Sequence, residues 1–466
     1  MARVIWWIRR DLRLADNPAL QTACQAGQVI PFFVLDPSLL VNASSRRQAF
    51  LFDGLQSLDK SLQARHSRLT LRRGKPGEVL QALLAESGAE AIFAEEDFTP
   101  YARQRDAQIA RQLPLNLVHG QTVHHPAKVV KGDGKPYTVF TPFSRAWKAA
   151  LPSRLSPLPA PEIPSPDNLP ASDTLPDFIA HPSFPSGEDE ARRCLAGFLD
   201  GSIFGYADRR NILDQDGTSQ LSPYLRFGML SLRQAAAGAI ACMNEAHNGQ
   251  AAQSAETWLN ELIWREFYIA ILYHFPAVLR QSFRTDLQNV RWLDDPGGLE
   301  AWQQGLTGYP VVDAGMRQLA QLGWMHNRAR MITASFLVKD LLVDWRLGES
   351  WFMENLLDGD LAANNGGWQW TAGTGTDAAP YFRIFNPILQ SKKFDAQGSY
   401  IRRWIPELAK VPEQYIHSPW EMPEQMGRQS GCVIGRNYPA PIVDHAMARQ
   451  RVLNVYGSAT KNDKSN

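Results

Sequence analysis

Four side chains able to recognise or react fall on one line near the middle of the chain. In "TWLNELIWREFY", Glu261, Trp264, Arg265 and Tyr268 stand at i, i+3, i+4 and i+7. A helix there carries a carboxylate, an indole, a guanidinium and a phenol on one face. An exposed Glu–Arg pair at that spacing stabilises a helix by only about 0.2–0.5 kcal/mol, and two bulky aromatics beside it would be wasted on solvent. The wall of a binding pocket is the better reading. In "LLDGDLAANNGGWQW", Asp358 and Asp360 precede two amides, Asn364 and Asn365, and then Trp368 and Trp370. No helix or strand period runs through it, so a loop built to hold something is expected. "GWMHNRARMITAS" sets Asn327 with Met331, and His326 with Arg330, at i, i+4. "DGTSQLSPYLRFG" brings Thr218, Ser219 and Ser222 ahead of a helical run. Hydroxyls and free N–H groups there form either an ordinary cap or an anion site suited to a diphosphate.

The elements that must position these groups come in two kinds. The first part alternates apolar strand-like runs (3–8, 29–36, 69–74, 89–96) with helical ones (17–27, 49–65, 76–88). That rhythm predicts a Rossmann-like, doubly wound parallel sheet over residues 1–130. No G-x-G-x-x-G follows the first strand, so a dinucleotide site is not implied there. Ten prolines between 152 and 185 block helix interiors and central strands and predict an extended connector on the surface. From about residue 188 the pattern is helical, most clearly over 255–275 and 311–347. The expected fold is α/β plus all-α, joined by a long linker.

Composition narrows the chemistry. The 466 residues carry a net charge of +1, with 44% hydrophobic and 20% charged residues, so no global pull toward nucleic acid exists. Basic pairs such as Arg209-Arg210 and Arg328 with Arg330 allow a locally positive groove. The four cysteines are scattered, and the histidines form no H-E-x-x-H or H-x-H; no metal is expected. No signal peptide or membrane-spanning run is evident, so a cytoplasmic protein is expected. Eleven of the fourteen tryptophans lie at or beyond Trp258, which points to stacking or redox work in the C-terminal half.

These segments, with "RRDLRLADNPAL", "GYPVVDAGMRQL", "GWMHNRARMITASFLVKDLL" and "TDAAPYFRIFNP", resemble the photolyase–cryptochrome family of light-driven flavoproteins, in order and over nearly the whole chain. The resemblance implies an antenna domain (1–130), an interdomain linker (131–200) and a helical domain (201–466) that binds FAD and a DNA lesion. It assigns Tyr206, Thr218, Ser219, Gln220, Leu221 and Ser222 to the FAD diphosphate and neighbouring parts, and Trp258, Arg265, Arg330, Asp358, Gly359, Asp360 and Asn364 to the rest of the cofactor. Arg330 would balance the reduced anionic flavin while Asp358 holds its guanidinium. Asn364 would face flavin N5, where an amide serves as donor or acceptor. Photolyases are among the enzymes that take a damaged base out of the stack. Trp264 and Trp370 match the stacking indoles and Glu261 the acid that hydrogen-bonds the lesion. Arg210, Arg265 and Arg328 would meet phosphates, with Asn327, Met331 and Gln390 also on the substrate side. Trp292, Trp345 and Trp368 match a relay that delivers electrons to photoexcited, oxidised flavin.

Within the family, Asn327 and Met331 occupy the positions of a proton-transferring His pair in (6-4) photolyases, and an amide and a thioether cannot do that acid–base step. Asn364 is neither the Asp of plant cryptochromes nor the Cys of animal ones. The chain ends in a short polar tail, "GSATKNDKSN". The implied protein is a monomeric, class I-like cyclobutane pyrimidine dimer photolyase acting on UV-damaged DNA with FADH⁻; the alternative is a cryptochrome-type photoreceptor. For a second, antenna chromophore, "DFTPYARQRD" is closer to the "PYGR"-type loop of deazaflavin binders, with Ala102 in place of Gly; folate and FMN stay open.

Overall fold

A computed structural model describes residues 1–41 and 44–462. Packing divides them into two compact units: Met1–Ala207 with Thr218–Pro276, and Asp208–Gly217 with Ala277–Asn466.

In the first unit β1 (Arg3–Ile8), β2 (Gln28–Leu35), β3 (Thr70–Arg73), β4 (Ala91–Glu95) and β5 (Leu115–Val118) form a parallel sheet in the order β3-β2-β1-β4-β5. Val4 pairs with Val29 on one side and Ala91 on the other. β1 and β2 are buried almost throughout, because helices cover both faces, and so read as unbroken apolar runs. Ile5, Trp7, Ile30, Phe32, Leu80 and Ile92 form the core. β5 was not expected: it is a short edge strand, largely open to solvent, and carries no alternation.

"RRDLRL" does structural duty. Asp11, Arg13, Asp16 and Asn17 are buried. Arg13 pairs with Glu95 at 2.7 Å and donates to Asp16 O and Gly228 O, while Ser231 Oγ donates to Asp16. Burial pushes Glu95 up to about 7 against the pull of Arg13. The linker lies along the open edge of β3. Asp173 N donates to Leu71 O, Leu71 N to Ser172 Oγ and Arg73 N to the Asp173 carboxylate, each at 2.9 Å. That satisfies edge groups another chain could otherwise pair with.

The second unit is helical around a core that includes Trp302, Trp345, Phe352 and Trp368. Three expectations are corrected here. Residues 358–370 are not a loop: Leu361–Ala372 is a helix, with Asp360 as N-cap accepting from Ala362 N and Ala363 N. It is buried on most sides, so polar and apolar positions show no period. Nor is 311–347 one helix. Pro310–Leu322 stops at Gly323 (φ +62°), His326 caps Asn327–Ser335, Phe336–Asp340 is a π-helical turn, and a new helix, Trp345–Asn355, begins after Leu342 (φ +57°). The polar ending is also not a tail up to Asn462. Helix His445–Asn462 continues through it, anchored by buried Val452 and Tyr456; residues 463–466 lie outside the described residues.

Candidate functional site

The first unit contributes one long helix and the segment that meets it. Helix Gly249–His274 is capped by Asn248, whose side chain accepts from Ala251 N. Trp258 is buried, donates its indole N–H to Ser219 Oγ (3.3 Å) and packs on Phe198, which also meets Tyr206 edge-on. Tyr206, Ser219 and Trp258 are therefore brought together. Thr218, Ser219 and Gln220 are half-buried, Gln220 in a left-handed conformation (φ +50°), ahead of helix Ser222–Phe227. Leu221, at the cap position, is buried, and no side chain caps that helix.

Glu261, Trp264, Arg265 and Tyr268 are all half-buried on the long helix. Trp264 lies flat on Phe140, centroids 3.8 Å apart and planes 4° from parallel, with Tyr268 tilted at 5.4 Å. Phe140 was missed in the sequence; nothing in "TVFTPF" announces a partner so distant along the chain. Arg265 lines a small internal cavity with Arg10, Arg13 and Glu95.

In the second unit Arg330 and Asp358 form a 2.8 Å ion pair, and Arg330 Nε also donates to Met325 O. Asp358 is buried, and its second oxygen, Oδ1, has no partner in the protein. Gly359 and Asp360 follow, both buried. Asn364 donates to Glu349 O at 3.0 Å; among the described residues no hydrogen bond reaches its amide oxygen. Asn365 donates to the Glu349 carboxyl (3.1 Å) and Val278 O, and accepts from Gln369. Burial pushes Glu349 up to about 7. Glu349 and Gln369 are further residues the sequence reading missed, since only the packing of two helices puts Glu349 beside the amides.

Arg210 and Arg328 are close enough that burial first, then the Arg210 charge, lowers the Arg328 pKa. Arg328 donates to Asn211 Oδ1 and lies 4.4 Å over the Phe394 ring. Asn327 is exposed, with its amide 3.9 Å from Met331 Sδ. Gln390 lies on helix Pro387–Phe394 with a buried, unpartnered oxygen, and Trp370 is half-buried. Trp345 and Trp368 are buried with unpartnered indole N–H groups; Trp292 is partly buried against Tyr456. Among the described residues the rings of these three tryptophans do not stack on one another directly; Trp368 packs edge-on against Phe352 and Trp302. No described helix is long and apolar enough to cross a membrane.

Residues 258–458 match the family model "FAD binding domain of DNA photolyase", and 4–164 match "DNA photolyase". The match to an FAD-binding domain over the helical segment places the chain among flavoproteins. The chain belongs to the DNA photolyase family. It is 42% identical to a deoxyribodipyrimidine photo-lyase of Synechococcus, covering 98% of this chain and 96% of that one. The crystal structure of a class III photolyase from Agrobacterium tumefaciens, 38% identical, superposes with a TM-score of 0.93 over 99% of this chain and 98% of the other. The cryptochrome of Synechocystis, 29% identical, superposes at 0.90 over 98% and 99%.

Proposed function

We propose that this protein repairs cyclobutane pyrimidine dimers in UV-damaged DNA, using light and FAD. One observation carries the cofactor part of this reading. Asp358, in the segment matched as FAD-binding, is buried with one oxygen on Arg330 and the other without a partner. A buried acceptor left open costs about 1–3 kcal/mol unless a ligand donor completes it. When bound, FAD in its reduced anionic form supplies, under blue light, the electron that opens the dimer and recovers it afterwards.

The remaining roles belong to the protein. Arg330 balances negative charge on the flavin, and Asp358 fixes its guanidinium. Asn364, held by its N–H bond to Glu349 O, keeps an amide oxygen that would serve flavin N5. Tyr206, Thr218, Ser219, Gln220, Leu221, Ser222, Trp258, Gly359 and Asp360 hold the rest of the cofactor. Trp264 and Trp370 stack the extruded bases, Glu261 hydrogen-bonds them, and Asn327, Met331 and Gln390 border them. Arg210, Arg265 and Arg328 meet phosphates. The nearness of Arg210 and Arg328, which costs repulsion in the free protein, favours an anion there. Trp292, Trp345 and Trp368 would pass electrons toward the flavin when it is oxidised. The functional division keeps 1–130 as an antenna domain, with deazaflavin favoured as its chromophore, and 201–466 as the repair domain. The enzyme works as a monomer in the cytoplasm.

Blue-light repair of a thymine dimer in a short oligonucleotide, with the flavin fully reduced, tests the reading. Undiminished dimers would refute it. They would favour the second reading, a cryptochrome-type photoreceptor, which the likeness to the Synechocystis cryptochrome supports.

A further inference from the structure

Gly348 lies inside helix Trp345–Asn355 without the positive φ that would call for glycine. Glycine is the poorest helix former after proline, so something other than backbone geometry keeps it there. A Cβ at this position would stand 2.1 Å from Trp368 Cη2, 2.5 Å from its Cζ3 and 2.6 Å from Leu337 Cδ2. The leucine methyl can swing aside. The indole cannot, because Phe352 and Trp302 press edge-on against it and its whole ring is buried. It would have to shift by more than an ångström to regain ordinary contact.

Helix Trp345–Asn355 therefore meets helix Leu361–Ala372 at two successive residues: Gly348 receives the benzo edge of Trp368, and Glu349 accepts from Asn365, one turn after Trp345 opens the helix. We propose that Gly348 is a positioning residue for the tryptophan relay: by admitting Trp368 against the helix that begins with Trp345, it sets the gap an electron crosses between those two indoles. The inference rests on the relay reading given above. In the step concerned, one electron leaves Trp345 and fills the vacancy on Trp368; no bond or proton is exchanged. Tunnelling falls exponentially with distance, so a small retreat of the indole slows the hop out of proportion to its size.

The test is Gly348→Ala. Light-driven reduction of oxidised FAD should slow severalfold, while dimer repair by chemically prereduced enzyme keeps its rate. Gly197→Ala, at an exposed position of helix Glu188–Leu199 with open space around its Cβ, should change neither. Trp345→Phe tests the relay separately. Unchanged photoreduction in Trp345→Phe would remove the relay itself; suppressed photoreduction there, with a normal rate in Gly348→Ala, would overturn the positioning role alone. Loss of prereduced repair in Gly348→Ala would also overturn it, since the damage would then lie in the repair site. Thermal unfolding gives a readout independent of flavin chemistry and covers the case where Gly348→Ala folds poorly. Trp368→Phe removes the benzo edge, so Gly348→Ala should lower Tm in the wild-type background and hardly at all in the Trp368→Phe background. Equal losses in both backgrounds would mean that another contact excludes the side chain.

Discussion

Replacing Trp264 with alanine separates lesion recognition from packing. The ring is half-buried and lies on Phe140 at 3.8 Å, so one of its two faces is already taken. Only the other face is left for an extruded base, and one base–indole stack is worth about 1–3 kcal/mol. Lesion affinity should therefore fall roughly 5- to 150-fold, taking about 1.4 kcal/mol per factor of ten. The lost pair with Phe140 costs the fold a further 0.5–1.5 kcal/mol or so, seen as a lower Tm. Binding is read by titrating a dimer-containing oligonucleotide against the undamaged one. The undamaged duplex, held mainly through phosphates, should bind as before, and FAD content should be unchanged. Trp264→Phe, which keeps a π-face, should lose far less. Wild-type lesion affinity in Trp264→Ala, with the lower Tm still present, would show that the indole serves only to pack on Phe140.

Trp345→Phe should suppress photoreduction of oxidised FAD and leave repair by prereduced enzyme intact, measured by absorbance under blue light and by dimer loss. Arg210→Ala should weaken damaged and undamaged DNA alike and flatten the log–log salt dependence of binding by about one unit, as expected for one lost phosphate contact. His326 is held at about 4 by its burial, aided by the charges of Arg328 and Arg330. Its folded value lies below the ordinary 6.5, so the unfolded chain binds more protons in that window, and its contribution drains away as pH falls from 6.5 through 4. In His326→Asn, which can still cap the helix, urea unfolding should show an acid-side slope flatter by up to about 3 kcal/mol across that range. An unaltered slope would mean that His326 titrates normally.

What was legible in the sequence follows from what each residue's neighbours are. β1 and β2 could be read because both faces are buried, and the helix Gly249–His274 because its apolar positions recur with the helical period. Leu361–Ala372 could not be read that way: amides, glycines and indoles are buried together, and periodicity needs a wet face. The signal that could have found it is local, an Asp at the cap followed by good helix formers. The breaks at Gly323 and before Trp345 were masked by apolar residues that pack on both sides of them. Asn327–Met331 was legible from its spacing and Arg330–Asp358 only through the family resemblance, whereas Phe140 under Trp264 and Glu349 beside Asn365 depend on contacts across the fold. Family membership was legible because long motifs recur in order. The class I-like assignment rests on Asn327 and Met331, which speak to lesion chemistry rather than to class, and the Agrobacterium neighbour is a class III enzyme.

The linker along β3 also sets a clock. Leu71 leaves the ribosome about a hundred residues before Ser172 and Asp173, which close the edge beside it. At about 5–20 residues per second, the nascent sheet spends roughly 5–20 s with an unguarded strand at its margin. During that interval its free N–H and C=O groups can recruit any extended chain, including the same segment on a neighbouring ribosome. β3 is only four residues long and ends in two arginines, Arg72 and Arg73, features that discourage such pairing until the strap arrives. Slowing translation between 74 and 172 should lengthen the exposure and raise the aggregated fraction, without altering a single contact of the finished protein.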